Sequence, residues 1–170
     1  GYGTLILGQQ LATLATSVNA GITWTNRVEF VCRFDRQIGT TDANSLFRIL
    51  VGRSTTGYAA AGDLPNRGIG VRCVNGSAMQ LQVHNGTTLT NVTSSFTPTT
   101  QVTYELRLVS DGAGNVTLYI DGTQVATTAA GPTTGAVSGG NGIALEAENI
   151  GTVTGSKAQL VASNFRLTIG

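Results

Sequence analysis

The sequence predicts an all-β protein folded as an antiparallel two-sheet sandwich. Two observations carry that expectation. Apolar and polar residues alternate with a period of two through run after run, and the breaks between runs are filled by turn dipeptides. A third supports it: the polar surface is supplied by Thr, Ser, Asn, Gln and 23 Gly, while charged residues make up 11% of the chain. That is less than half the share of about a quarter found in typical soluble domains. Thr favours strands and Gly favours turns.

The alternation runs as follows. Val28, Phe30, Cys32 and Phe34 alternate with Glu29, Val31, Arg33 and Asp35. Phe47, Ile49 and Val51 alternate with Arg48 and Leu50, and Ile69, Val71 and Cys73 with Gly70 and Arg72. Met79, Leu81 and Val83 alternate with Gln80, Gln82 and His84. Val102, Tyr104, Leu106 and Leu108 are followed by Val116, Leu118 and Ile120, and the chain closes on Phe165, Leu167 and Ile169. Each run turns one face to a core and the other to water, as strands of antiparallel sheets do. Asn75-Gly76, Asn85-Gly86 and Asp121-Gly122 are hairpin dipeptides that accept positive φ. The stretches 54–68 and 129–142 hold Gly and Pro and read as exposed loops, where binding groups often ride on a rigid scaffold. Residues 9–20 contain Ala and Leu but also Thr, and at most a single helical turn is expected there.

The 170 residues suit one domain with one core, spanning 1–170, and the missing initiator Met suggests a piece of a longer or processed protein. A net charge of +1, with Lys157 as the only lysine, gives no electrostatic footprint for nucleic acid or for an anionic membrane. No stretch approaches the roughly 18 to 20 apolar residues of a membrane span, so no membrane insertion is expected. Residues 1–10 lack the charged and apolar regions of a signal peptide. Cys32 and Cys73 both fall in the inward register of their strands. A disulfide and a pair of buried free thiols are both open, the former requiring neighbouring strands. With His84 as the only histidine, no zinc site and no cofactor is expected. Asn75, Asn85, Asn91 and Asn115 open Asn-x-Ser/Thr sequons, a frequent accident in so Asn- and Thr-rich a chain.

The run Val102-Thr-Tyr-Glu-Leu-Arg-Leu-Val109, its Asp-Gly loop, and Val116-Thr-Leu-Tyr-Ile-Asp-Gly-Thr-Gln-Val125 resemble the central hairpin pair of the concanavalin A-like lectin/glucanase superfamily, which includes laminin-G-like domains. The closing run from Ala162 to Ile169 and the opening run from Val28 to Asp35 fall where that family places its last and first strands. The resemblance implies a jelly-roll sandwich with a glycan-binding face or loop rim, and calcium in some members. This superfamily hosts both enzymes and binding modules, so function must be argued from residues.

Glu146 and Glu148 are the best catalytic pair. At i and i+2 on a strand they share a face, roughly 6 to 7 Å apart. Glycoside hydrolysis needs two carboxylates roughly 5 to 9.5 Å apart. Yet the glucanase branch carries Glu-x-Asp-x-x-Glu, and here the middle position is Glu148 and the last acid is missing. Gln82-Val83-His84 is similar to the Gln-x-His strand of the family's lyases, but the companion Tyr-Phe-Lys-x-Gly motif is absent. Asp111, Asn115 and Asp121 fit turns better than a calcium loop. The reading is therefore non-enzymatic. Sugar recognition asks for aromatic faces and for Asn, Asp, Gln and Arg. Tyr58, Asp63, Asn66 and Arg67 form one such set in the long loop; Gln80, Gln82 and His84 form another on an outward strand face, with Tyr119 near. The apolar stretch 2–8 is a strand suited to self-association or to packing on a larger assembly. The composition resembles phage tail-fibre and virion-surface domains. The expectation is an extracellular or virion-surface, lectin-like domain whose partner is a glycan or cell-surface receptor. A secreted bacterial carbohydrate-binding module and a glycoside hydrolase using Glu146 and Glu148 are the alternatives.

Overall fold

A computed structural model describes residues 2–7, 23–37, 45–54, 63–64, 66–135, 141–149 and 159–170. These form eleven strands: β1 (Tyr2–Leu7), β2 (Val28–Arg36), β3 (Ser45–Ser54), β4 (Gly68–Val74), β5 (Gln80–His84), β6 (Leu89–Thr93), β7 (Thr103–Ser110), β8 (Val116–Ile120), β9 (Thr123–Thr128), β10 (Asn141–Asn149) and β11 (Leu160–Ile169). No helix occurs among the described residues. One sheet has six strands in the order β1-β10-β3-β4-β5-β6, the other five in the order β11-β2-β7-β8-β9, and every pairing is antiparallel. The two sheets make a jelly-roll sandwich: alternation predicts its antiparallel strands, and the resemblance implies the jelly roll.

The core lies between the sheets. Phe30, Cys32 and Phe34 from β2 and Leu106 and Leu108 from β7 meet Phe47 and Ile49 from β3, Ile69 and Val71 from β4 and Leu81 and Val83 from β5. Burial of such side chains stabilises a fold by about 1.5–3 kcal/mol each. Phe34 touches both Phe47 and Tyr104, and Tyr104 meets Phe96 edge-on at 4.9 Å, so aromatic contacts tie the two sheets together.

Cys32 and Cys73 are inside this core as free thiols, one on each sheet. Cys73 Sγ donates to Ser77 O at 3.3 Å, and the structure holds the buried free-thiol alternative. Burial pushes the Cys32 thiol up to about 12 and the Cys73 thiol to about 11.

The turns are partly as expected. Asn75 and Gly76, and Asp121 and Gly122, all have positive φ, as a type I′ hairpin requires. Asn85-Gly86 differs. Only Gly86 is positive, and Asn85 Oδ1 instead accepts the N–H groups of Thr87 and Thr88. The apolar N-terminal stretch is an edge strand, β1, paired with β10. The helical turn considered for 9–20 lies outside the described residues.

Candidate functional site

The outer face of the six-stranded sheet carries most of the polar residues singled out above. Register places Glu146 of β10 opposite Arg48 of β3, Arg48 opposite Arg72 of β4, and Arg72 opposite Gln80 of β5. One step along, Gly70 lies opposite Gln82 and Gln82 opposite Asn91 of β6. Arg48 is the hub. Its Nη1 donates to Glu146 Oε2 at 3.3 Å and to Glu148 Oε2 at 3.0 Å, and its Nε to Asp63 Oδ1 at 3.1 Å. Arg72 Nη1 closes the array on Asp63 Oδ2 at 2.9 Å.

This face is buried. Glu146 is 1% exposed, Arg48 6% and Gln82 0%. The cover is Leu64, which packs with Leu50 and Ala144 into a small second core that Leu89 borders. Both ends of Gln82 are used: its Oε1 accepts the Leu64 N–H at 3.1 Å and its Nε2 donates to Asn91 Oδ1 at 3.0 Å. Glycine makes the close approach possible. A Cβ on Gly70 would stand 2.6 Å from Leu50 Cδ2, and one on Gly68 2.8 Å from Leu64 Cδ2. Asp63 is held below the ordinary carboxylate range. Burial pushes its pKa up, but the Gln82 hydrogen bond and the charges of Arg72 and Arg48 outweigh it.

The predicted site residues therefore separate. Asp63 and Gln82 are structural members of the buried array, and Gln80 lies at its margin, half-buried. Asn66, Arg67 and His84 gather at one end of the face. Asn66 Oδ1 accepts the Arg67 N–H at 2.8 Å, and His84 Nδ1 accepts the Gly86 N–H at 3.0 Å. The His84 pKa is lowered by burial and by the charge of Arg67. His84 is thus half-buried at its hairpin end. Tyr119 is not near Gln82. It lies on the outer face of the other sheet, with Arg107 stacked 4.1 Å over its ring. Tyr58 lies outside the described residues. Asp111 serves its turn, its Oδ1 accepting the N–H groups of Ala113 and Asn115, while Asp121 Oδ1 accepts the N–H of Glu105 on β7.

Sequence reasoning missed Arg48, Arg72 and Leu64. The signal was present: Leu46, Phe47, Ile49, Leu50 and Val51 are apolar in both phases of the alternation, which marks a strand buried on both faces.

A second depression, of about 380 Å³, lies at the opposite sheet and is lined by Arg33, Thr103, Tyr104, Glu105 and Asp121. Tyr104 is half-buried there, in contact with Phe34 and Phe96.

Fold and site together define a two-sheet jelly-roll sandwich with one sheet face covered by residues of the segment before β4. No protein-family model matches the chain, and no curated protein does. Solved structures do. The alginate lyase A1-II′ aligns with a TM-score of 0.60 at 13% identity, over 99% of this chain and 71% of the other. The carbohydrate-binding module CBM66 from Bacillus subtilis aligns with a TM-score of 0.52 at 10% identity, over 84% of this chain and 74% of the module. A botulinum neurotoxin type C structure, from a toxin whose cell entry is dependent upon interaction with two ganglioside molecules, aligns with a TM-score of 0.50 at 10% identity. This chain covers 98% of itself in that match but only 36% of the toxin chain. At such identities the likeness is one of fold. The neighbours include both binding modules and a lyase.

Proposed function

We propose that this chain is a non-catalytic, lectin-like domain that binds a glycan or glycosylated receptor, presented on a virion or fibre surface. The observation that carries the non-catalytic part is the fate of the two candidate acids. Glu146 and Glu148 both bind Arg48 Nη1. Glycosidase chemistry needs one carboxyl held protonated as acid and a second facing substrate as nucleophile or base. A single guanidinium holds both acids in one ion-paired array, which speaks against two separate catalytic roles, and Leu64 stands between Gln82 and solvent.

The binding part is supported by the sandwich that this chain shares with CBM66 and the ganglioside-dependent toxin. It is supported also by polar groups left at the margin of the closed face: Gln80, Arg67, Asn66 and His84. The surface reading rests on the charge-poor, Thr- and Gly-rich composition and on β1 as an edge strand. A glycan array tests the binding: hits among bacterial or host glycans are expected, and none across both sets would contradict it. Solution mass tests assembly, since a strict monomer at high concentration removes the role given to β1.

The likeness to CBM66 favours one second reading, an accessory module of a secreted glycanase. The flanking sequence separates the two: a fibrous shaft belongs to the first, a glycanase domain to the second.

A further inference from the structure

Arg67 immediately precedes β4, and its side chain lies along the bare backbone of two glycines. A Cβ on Gly86 would stand 2.7 Å from Arg67 Cζ and 2.8 Å from its Nε. One on Gly135 would stand 2.8 Å from Arg67 Cδ and 3.0 Å from Nε. Any side chain at either position would displace the guanidinium, so these two glycines set where it lies.

Among the described residues that slot gives the guanidinium no acceptor. Its Nε is buried without a hydrogen-bond partner, and no ion pair joins Arg67 to any described residue. Arg48 and Arg72, by contrast, are both met by carboxylates. The acids are committed elsewhere. Asp63, Glu146 and Glu148 belong to Arg48 and Arg72, Glu29 to Arg27 and Arg166, Asp35 to Gln37 and Asp111 to Asn115. Glu105 and Asp121 line the depression at the other sheet. Asp42 lies outside the described residues. The titratable neighbour of Arg67 is His84, which is another potential cation.

A partly buried arginine without a carboxylate, next to an imidazole, is built to receive a negative group. The two Nη nitrogens are not shut off from solvent as Nε is, and a guanidinium edge matches two oxygens of one oxyanion. Asn66, exposed beside Arg67, keeps its amide nitrogen for a hydroxyl.

We propose that Arg67 anchors the oxyanion of an acidic saccharide, a uronate carboxylate or a sulfate ester, with His84 and Asn66 at its sides. This rests on the saccharide-binding reading above and narrows it to a chemical class.

The test measures binding of the intact chain to polygalacturonate and to chondroitin sulfate. Each is compared with a neutral counterpart: the fully methyl-esterified polymer, and desulfated, carboxyl-reduced chondroitin. At least one acidic polymer should bind about tenfold more tightly than its neutral form, a margin worth about 1.4 kcal/mol. A margin on polygalacturonate identifies the carboxylate; a margin that chondroitin sulfate keeps after carboxyl reduction alone identifies the sulfate. Arg67→Gln should abolish the margin with the thermal midpoint unchanged, and Arg67→Lys should retain part of it. Neutral polymers bound as tightly as acidic ones would overturn the inference and leave the saccharide reading standing. A margin that persists in Arg67→Gln would overturn it equally. No binding to any polymer, acidic or neutral, counts against both.

Discussion

Arg48 is the charged hub of the covered sheet face. Its guanidinium meets three carboxylates, of which Glu146 is 1% exposed. Removing one member of a buried ion pair costs about 3–5 kcal/mol, because the other charge is left uncompensated. Arg48→Ala should therefore lower unfolding free energy by about that much in urea titration; a loss below about 1 kcal/mol would place the array at an ordinary surface. Asp63 supplies a pH signature. Its folded pKa is depressed below 3.8, so the unfolded chain binds the proton more readily. Stability from Asp63 is present above pH 3.8 and is lost as pH falls below it. Thermal midpoints of wild type and Asp63→Asn measured across acidic pH should converge as the pH is lowered. His84 follows the same sign in another window. Its folded pKa is below 6.5, so its contribution is complete above pH 6.5 and declines beneath it. Among the described residues Arg67 is the charged group acting on it; the strand partners of His84, Gly68 and Leu89, do not titrate. His84→Gln should flatten the dependence of the thermal midpoint between pH 7.5 and 5.

At the scale of elements, the 63–67 segment turns a sheet face into an interior. Leu64 buries Gln82 and packs on Leu50 and Ala144. Leu64→Ala should cost about 2–5 kcal/mol and raise exchange of the Gln82 side-chain amide, both readable by NMR and denaturation. An unchanged stability would mean the face is not closed by this residue. The same element explains what the sequence could and could not reveal. Strands β2, β7, β8 and β11 are legible because one side of each faces the core and the other does not, and β4 and β5 because their apolar residues still alternate with Gly, Arg, Gln or His although part of their second face is covered. Strands β6 and β9 are not: they are short sheet edges made of Thr, Asn and Gln, with little apolar contrast to read. Gln80, Gln82 and His84 do share a face, as alternation says. Alternation cannot say that a loop from the other side of β4 lies down on that face, because the contact is between Leu64 and residues of three strands. Nor can it say which sheet Tyr119 joins.

For the whole molecule, the two sheets close over both cysteines. Neither thiol is reactive while the sandwich is intact, since the thiolate is the nucleophile and burial holds both thiols far above the ordinary range. A thiol reagent at pH 8 should label neither Cys32 nor Cys73 in the native protein and both in denaturant. Rapid native labelling of Cys32 would contradict the packing described between β2 and the six-stranded sheet. In the proposed reading the polar margin around Arg67, rather than the covered sheet face, meets the ligand.

The most direct test of a binding, non-catalytic role is passage of saccharide polymers over the immobilised chain, with polymer length and new reducing or unsaturated ends measured in the eluate. The account predicts retarded polymers that emerge at their original length. Shortened polymers, with cleavage lost in Glu146→Gln, would contradict it.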